Sequence, residues 1–142
     1  MSEAPYNPNL ITYSVYGDRS PVIGKIVAIL NIIFKERGLN LIPSMSRVII
    51  KNEIHELMIT DETMAAPGRV ADRVSAIAFF EANNGGLLVV GDIVTLNNKI
   101  LGIVAGFDMT HMPNHMNVLL KTVSLESPPI NIGDQLVFMR SN

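Results

Sequence analysis

Cysteine and tryptophan are both absent from this chain of 142 residues. Without thiols the chain can form no disulfide, has no thiolate nucleophile and cannot bind a metal through sulfur. A metal site would therefore depend on His, Asp and Glu, and only 3 residues are histidine. These absences leave few side chains on which any chemistry could depend.

Clusters of positive charge are also missing. The 11 Lys and Arg residues are outnumbered by 13 Asp and Glu, which gives a net charge of −2, and no basic run is interleaved with aromatic residues. Binding to nucleic acid usually requires such a basic surface. The sequence therefore predicts that nucleic acid is not a partner.

Long apolar segments are missing too. The longest, over residues 22–34, is interrupted by Gly24, Lys25 and Asn31 and is shorter than the roughly 20 residues that a membrane-spanning helix requires. The first residues contain no basic segment followed by an apolar run, as a secretory signal would. We therefore expect a soluble, cytoplasmic protein without a membrane partner.

The familiar catalytic motifs are not found either. There is no Gly-rich phosphate loop, no Gly-x-Ser-x-Gly, no dinucleotide fingerprint and no His-Glu-x-x-His, the patterns that identify several large enzyme classes. Whether the chain is an enzyme stays open at this stage.

Short alternating segments rich in β-branched and aromatic residues, bounded by Gly, Asn and Asp, predict strands. Residues 31–38 fit either more strand or a short helix, and Asn97-Asn98 fits a two-residue hairpin turn. The pattern predicts one all-β domain over residues 1–142, a small closed β-barrel with at most one or two short helices, preceded by an extended arm over residues 1–9. The predicted strands are 11–16, 22–30, 47–50, 54–60, 74–82, 92–96, 99–107, 118–123 and 135–139.

Residues 108–117 hold two of the three histidines, His111 and His115. Pro113 disfavours a helix here, and Pro113-Asn114 has the composition of the central pair of a tight turn. His111 would then end one strand and His115 begin the next, with both imidazoles on the same side. This geometry predicts a ligand site whose lining is His111, His115, Asn117, Met109, Met112 and Met116.

Three interpretations of these histidines stay open: a metal site, a polar pocket without metal, and histidines that only hydrogen-bond the local backbone. The third histidine, His55, alternates with Glu56 in a predicted strand, so the two face opposite sides. The pattern slightly favours His55 inward, with Leu57 and Ile59. A tentative metal set is His55, His111 and His115, with Glu56 or Glu81 as alternative ligands or general bases.

These interpretations predict different functions. A divalent transition metal such as zinc in that set would make the chain a small lyase, isomerase or hydrolase acting on a small oxygenated molecule. Without a metal, the barrel would bind a small ligand. A third alternative is a barrel without catalytic activity that binds a protein partner, and assembly into a homo-oligomer is compatible with each.

Over residues 77–138 the order of features resembles the sorbitol/glucitol-specific enzyme IIA component of the sugar phosphotransferase system. The resemblance implies a small closed β-barrel. It also implies a phosphorylated histidine near Phe79, where this chain has none, so at most a divergent accessory role carries over. The similar features are Gly91-Asp92 at a strand start, Ile103-Val104-Ala105-Gly106, His115 before Val118-Leu119-Leu120, and Ile132-Gly133-Asp134 before the last strand.

Overall fold

A computed structural model describes residues 19–141, so the predicted arm over 1–9 and the predicted strand over 11–16 lie outside the described residues. Within this range the chain contains strands and turns and no helix, and thus no helix able to span a membrane. The strands are β1 (Val22–Phe34), β2 (Leu39–Asn40), β3 (Ser46–Ile49), β4 (Ile54–Thr60), β5 (Val70–Ala71), β6 (Val74–Ala82), β7 (Gly86–Val89), β8 (Ile93–Leu96), β9 (Lys99–Asp108), β10 (Asn117–Lys121) and β11 (Gln135–Met139).

Seven of these strands close into a barrel in the order β1-β11-β8-β9-β10-β4-β6, with β6 pairing back to β1. All neighbours are antiparallel except β10 and β4, which run parallel. Two small sheets, β2-β5 and β3-β7, lie outside this order. The prediction of a small all-β barrel is confirmed.

Side chains fill the interior of the barrel. Because successive residues of a strand point to opposite faces, Val118 and Leu120 lie inside while Leu119 belongs to a second apolar cluster outside the wall. Leu39 and Leu41 are part of that outer cluster. The largest interior side chains are Phe80, Phe107, Phe138, Ile26, Leu57 and Ile77.

Local turn chemistry behaves as the sequence predicts. Asn97 and Asn98 both have positive φ, 49° and 68°, which is the conformation of a two-residue hairpin turn joining β8 to β9. For residues 31–38 the sequence left strand or a short helix open, and the first part is strand, because β1 continues to Phe34. Both outcomes depend on short-range backbone preferences.

Gly102 lies where β9 passes close to the end of β10. A Cβ placed on it would be 2.5 Å from the backbone oxygen of Lys121, and that oxygen cannot rotate away. We expect Gly102→Ala to lower the free energy of unfolding by roughly 2–3 kcal/mol, because the two strands would have to separate locally.

Gly106 provides the matched control on the same strand. Its added Cβ would meet the Leu41 side chain at 3.2 Å, and a leucine end group can shift. Gly106→Ala should change the free energy of unfolding by less than about 1 kcal/mol. Urea titration of both variants tests this, and equal losses would show that the close approach at Gly102 is unimportant.

Candidate functional site

The histidine loop connects β9, which ends at Asp108, to β10, which begins at Asn117. The prediction that His111 ends a strand and His115 begins one is therefore wrong. The predicted tight turn lies one residue earlier, because the Asn114 amide donates to the His111 carbonyl at 2.9 Å across Met112 and Pro113, whose peptide bond is cis.

Alternation along the end of this loop separates the predicted pocket residues. Met116 is buried in the barrel interior, whereas Asn117 is buried on the outer side of the same wall. Met112 is exposed, and Met109 packs partly against the interior cluster. The structure thus brings His111, His115 and Asn117 to one side of the wall but not Met109 or Met116.

His55 faces the interior, as the alternation favoured. Its Nδ1 accepts a hydrogen bond from the Met116 amide at 2.9 Å, and its Nε2 lies 3.3 Å from Glu53 Oε1. Burial lowers the pKa of His55, although the nearby Glu53 carboxylate partly opposes this effect. Because Nδ1 accepts a hydrogen bond it carries no proton, so the ring proton lies on Nε2, where it can be donated to Glu53. Both ring nitrogens are thus engaged, as in a structural histidine of a core.

The tentative metal set is consequently not brought together. His55 lies inside the wall, while His111 and His115 lie on the loop outside it. Glu81 lies on β6 opposite Ile54 and Lys25, two pairs beyond the Glu56–Phe79 pair. Among residues 19–141 no group of three or more His, Asp or Glu side chains is arranged to hold a metal ion.

Four residues from four adjacent strands form a row across the outer face of the wall. Asn117 of β10 is paired with Asp108 of β9 on one side and with Glu56 of β4 on the other, and Glu56 is paired with Phe79 of β6. His115 lies two residues before Asn117 and contacts the same row. We call Glu56, Asp108, His115 and Asn117 the outer polar cluster.

Asp108 fixes the orientation of Asn117. The Asp108 carboxylate is 1% exposed and accepts from the Asn40 amide at 2.8 Å, the Thr110 amide at 2.9 Å and Asn117 Nδ2 at 3.4 Å. Because a carboxylate only accepts, Asn117 must turn its NH₂ toward it. The Asn117 Oδ1 atom is then left buried without a hydrogen-bond partner.

His115 is oriented in a similar way. Asn114 Nδ2 donates to its Nδ1 at 3.0 Å, so the ring proton of the neutral imidazole lies on Nε2. Nε2 is 3.4 Å from Glu56 Oε1, close enough for an ion pair if the ring is protonated, but the alignment is not that of a hydrogen bond. A second buried polar atom of the cluster therefore has no hydrogen-bond partner.

Two aromatic contacts hold the His115 ring. It meets the Phe79 ring edge to face at 5.2 Å and stacks on the exposed His111 ring at 5.1 Å. Phe79 lies near the position at which the resemblance implies a phosphorylated histidine. The planes of the two histidine rings are tilted by 30°. Nδ1 of His115 already accepts the Asn114 hydrogen bond, so only its Nε2, which lies near Glu56, is left for another partner.

The cluster offers two kinds of acceptor and one donor: Asn117 Oδ1, the Glu56 carboxylate and His115 N–H. A carboxylate beside an imidazole can also move a proton. No hydroxyl nucleophile is among its members. Sequence reasoning found His115, Asn117 and Glu56, but it missed Asp108 as the residue that orients Asn117.

Sequence reasoning also missed a cavity at the opposite end of the barrel. It has a volume of about 390 Å³ and lies where β9 begins and β10 ends. Its walls are mostly apolar, and no local motif in the sequence marks it because the wall residues come from separate strands and a loop. They include Ile59, Leu96, Leu101, Thr122, Pro128 and Pro129.

A family model matches residues 16–138 of the chain, and its description is a family of unknown function, DUF6917. The match covers most of the barrel, including the outer polar cluster and the cavity. Comparison with curated proteins and with solved structures gives no match.

Proposed function

We propose that this chain, which belongs to the DUF6917 family, is a binding barrel that holds a small hydroxyl-bearing molecule at the outer polar cluster. One observation carries the proposal: Asn117 Oδ1 and His115 Nε2 are both buried and both lack a hydrogen-bond partner. Each such atom costs about 1–3 kcal/mol when unpaired. A ligand that supplies the missing partners would recover that energy on binding.

The chemistry of the cluster selects the class of ligand. Asn117 Oδ1 and Glu56 require a donor, whereas His115 N–H requires an acceptor, and a hydroxyl group is both. The Glu56 and Asp108 carboxylates repel anions. The side chains of His115 and Glu56 are only 14% and 15% exposed, so the bound group must be small. These features favour a small neutral polyol over a carboxylate or phosphate.

A role without metal fits the cluster better than the zinc interpretation. Both nitrogens of His55 are engaged inside the wall, and among residues 19–141 no third His, Asp or Glu side chain joins His111 and His115 in an arrangement that could hold a metal ion. A zinc site needs three or four converging ligands. The proposed binding accordingly needs no added metal, and chelator should leave it unchanged.

Titration followed by ¹H–¹⁵N NMR tests the proposal. Glycerol and D-glucitol should shift the backbone amides of Glu56 and Asn117, and acetate at the same concentration should not. His115→Ala removes the donor and should weaken the response to D-glucitol roughly tenfold, as expected for loss of one buried hydrogen bond.

His111→Ala is the matched control, because it removes an exposed imidazole while the Phe79 contact and the Asn114 hydrogen bond still hold the His115 ring. It should change the affinity for D-glucitol less than about threefold. Unchanged spectra with both polyols would refute the proposal. Shifts confined to the amides of Leu101 and Thr122 would also refute it, because they would place binding in the cavity at the opposite end.

A further inference from the structure

Strand β1 continues past its pairing with β11, and within residues 19–141 no further strand covers the edge that faced β11. Residues Val22 to Lys25 pair with β11 on that edge, and Ile26 exchanges backbone hydrogen bonds with Gly133 and Asp134. Beyond Ile26, no backbone hydrogen bond from residues 19–141 reaches this edge, although the other edge stays paired with β6 to Phe34. Bulges in the β1–β6 pairing bend this part of the strand.

Apart from these bulges, the open edge carries none of the features that normally protect an edge strand. Residues 26–34 contain no charge and no proline, the usual protections against pairing with another chain. Ile29, Ile32 and Ile33 are 48%, 48% and 54% exposed. An exposed, uncharged and apolar edge of this length is a surface for adding a strand.

The sequence of the edge identifies which strand fits it. Residues 29–33 are Ile-Leu-Asn-Ile-Ile, with Asn31 at the centre and two apolar residues on each side. In an antiparallel pair centred on Asn31, each Asn31 meets its own copy, Ile29 meets Ile33, and Leu30 meets Ile32. The edge is therefore complementary to itself.

We propose that two copies of this chain form a two-fold symmetric dimer in which the β1 edges pair antiparallel about Asn31. A pairing of this kind uses the same surface on both copies, so it closes on itself and leaves no open edge for further growth. A groove of about 490 Å³ borders the same edge, between Ile29 or Ile33 and the segment at Pro128. It provides space for side chains of the added strand.

Single-cysteine cross-linking tests the proposed register, because the native chain has no cysteine that could react instead. Asn31→Cys should oxidise to a covalent dimer at least about tenfold faster than Ile100→Cys, since paired strands hold the two thiols together. Ile100 is 74% exposed and lies on β9, which pairs with β8 and β10 rather than with β1. Equal rates for the two variants would overturn the proposal.

A charge exchange at the same position gives an independent test. Light scattering should give the wild-type chain twice the 15.5 kDa monomer mass. Asn31→Lys and Asn31→Asp should each be monomeric because like charges would meet, and an equimolar mixture should restore the dimer. Ile100→Lys, the control for an added charge on a strand that does not pair with β1, should remain dimeric.

Asn31 is exposed, so neither substitution at this position should disturb the barrel, and the circular dichroism spectrum of each variant checks this. A wild-type chain that is monomeric throughout a dilution series would overturn the proposal. A dimer that persists in both Asn31 variants, or a mixture that stays monomeric, would overturn the pairing about Asn31.

Discussion

Arg19→Ala is expected to lower the free energy of unfolding by about 3–5 kcal/mol, because it leaves the buried Asp92 carboxylate without its cation. The two side chains form a bidentate pair, with Nη2 2.7 Å from Oδ1 and Nη1 3.1 Å from Oδ2. Asp92 is 1% exposed. The same carboxylate accepts from the Val89 amide at 2.9 Å, so it fixes the turn between β7 and β8.

Two further variants make this prediction specific. Arg73→Ala removes a similar bidentate contact to Asp61, but that pair is exposed to solvent. The free energy of unfolding should therefore fall far less than in Arg19→Ala. The double variant Arg19→Ala/Asp92→Asn should be more stable than Arg19→Ala alone, because a neutral amide needs less compensation. Urea unfolding measures all three variants. Equal losses for Arg19→Ala and Arg73→Ala would contradict the role given to burial.

His55→Ala is expected to lower the free energy of unfolding by about 2–4 kcal/mol. The substitution opens a void beside Phe80, whose ring centroid is 6.3 Å from that of His55, and leaves the Met116 amide without its acceptor. His55→Asn should lose less stability, because the asparagine oxygen can replace Nδ1 as the acceptor of the Met116 amide. His111→Ala, on the exposed side of the loop, should change the stability little. A loss at His111 as large as that at His55 would contradict this assignment.

The same residue predicts how stability depends on pH. Burial lowers the pKa of His55 in the folded chain, while a histidine in an unfolded chain has a pKa of about 6.5. The unfolded state therefore takes up the proton first, so stability should be full above that pH and fall as the pH decreases below it. In His55→Asn this part of the pH dependence should vanish. Urea unfolding between pH 8 and pH 5 measures the stability of the wild-type chain and of His55→Asn. If the free energy of unfolding falls in parallel for both, the prediction is refuted.

Several features of the fold could be predicted from the sequence because they depend on neighbours along the chain. Strand segments, the Asn97-Asn98 turn and the opposite faces of His55 and Glu56 each follow from backbone geometry over a few residues. Alternation separated His55 from Glu56 and only slightly favoured His55 inward, and His55 is the one that the structure buries in the core. Filling one apolar interior then required a closed sheet.

The candidate site depended on pairings that have no local signal. Glu56 and Asn117 are neighbours only because β4 and β10 pair parallel, and Arg19 meets Asp92 across 73 positions of sequence. The two histidines were found by their spacing, and their role in ligand binding stays a prediction. Sequence alone determined that successive side chains of a strand take opposite faces. The tertiary structure decided which face lies inside and which strands adjoin, because register is set by packing of the whole interior.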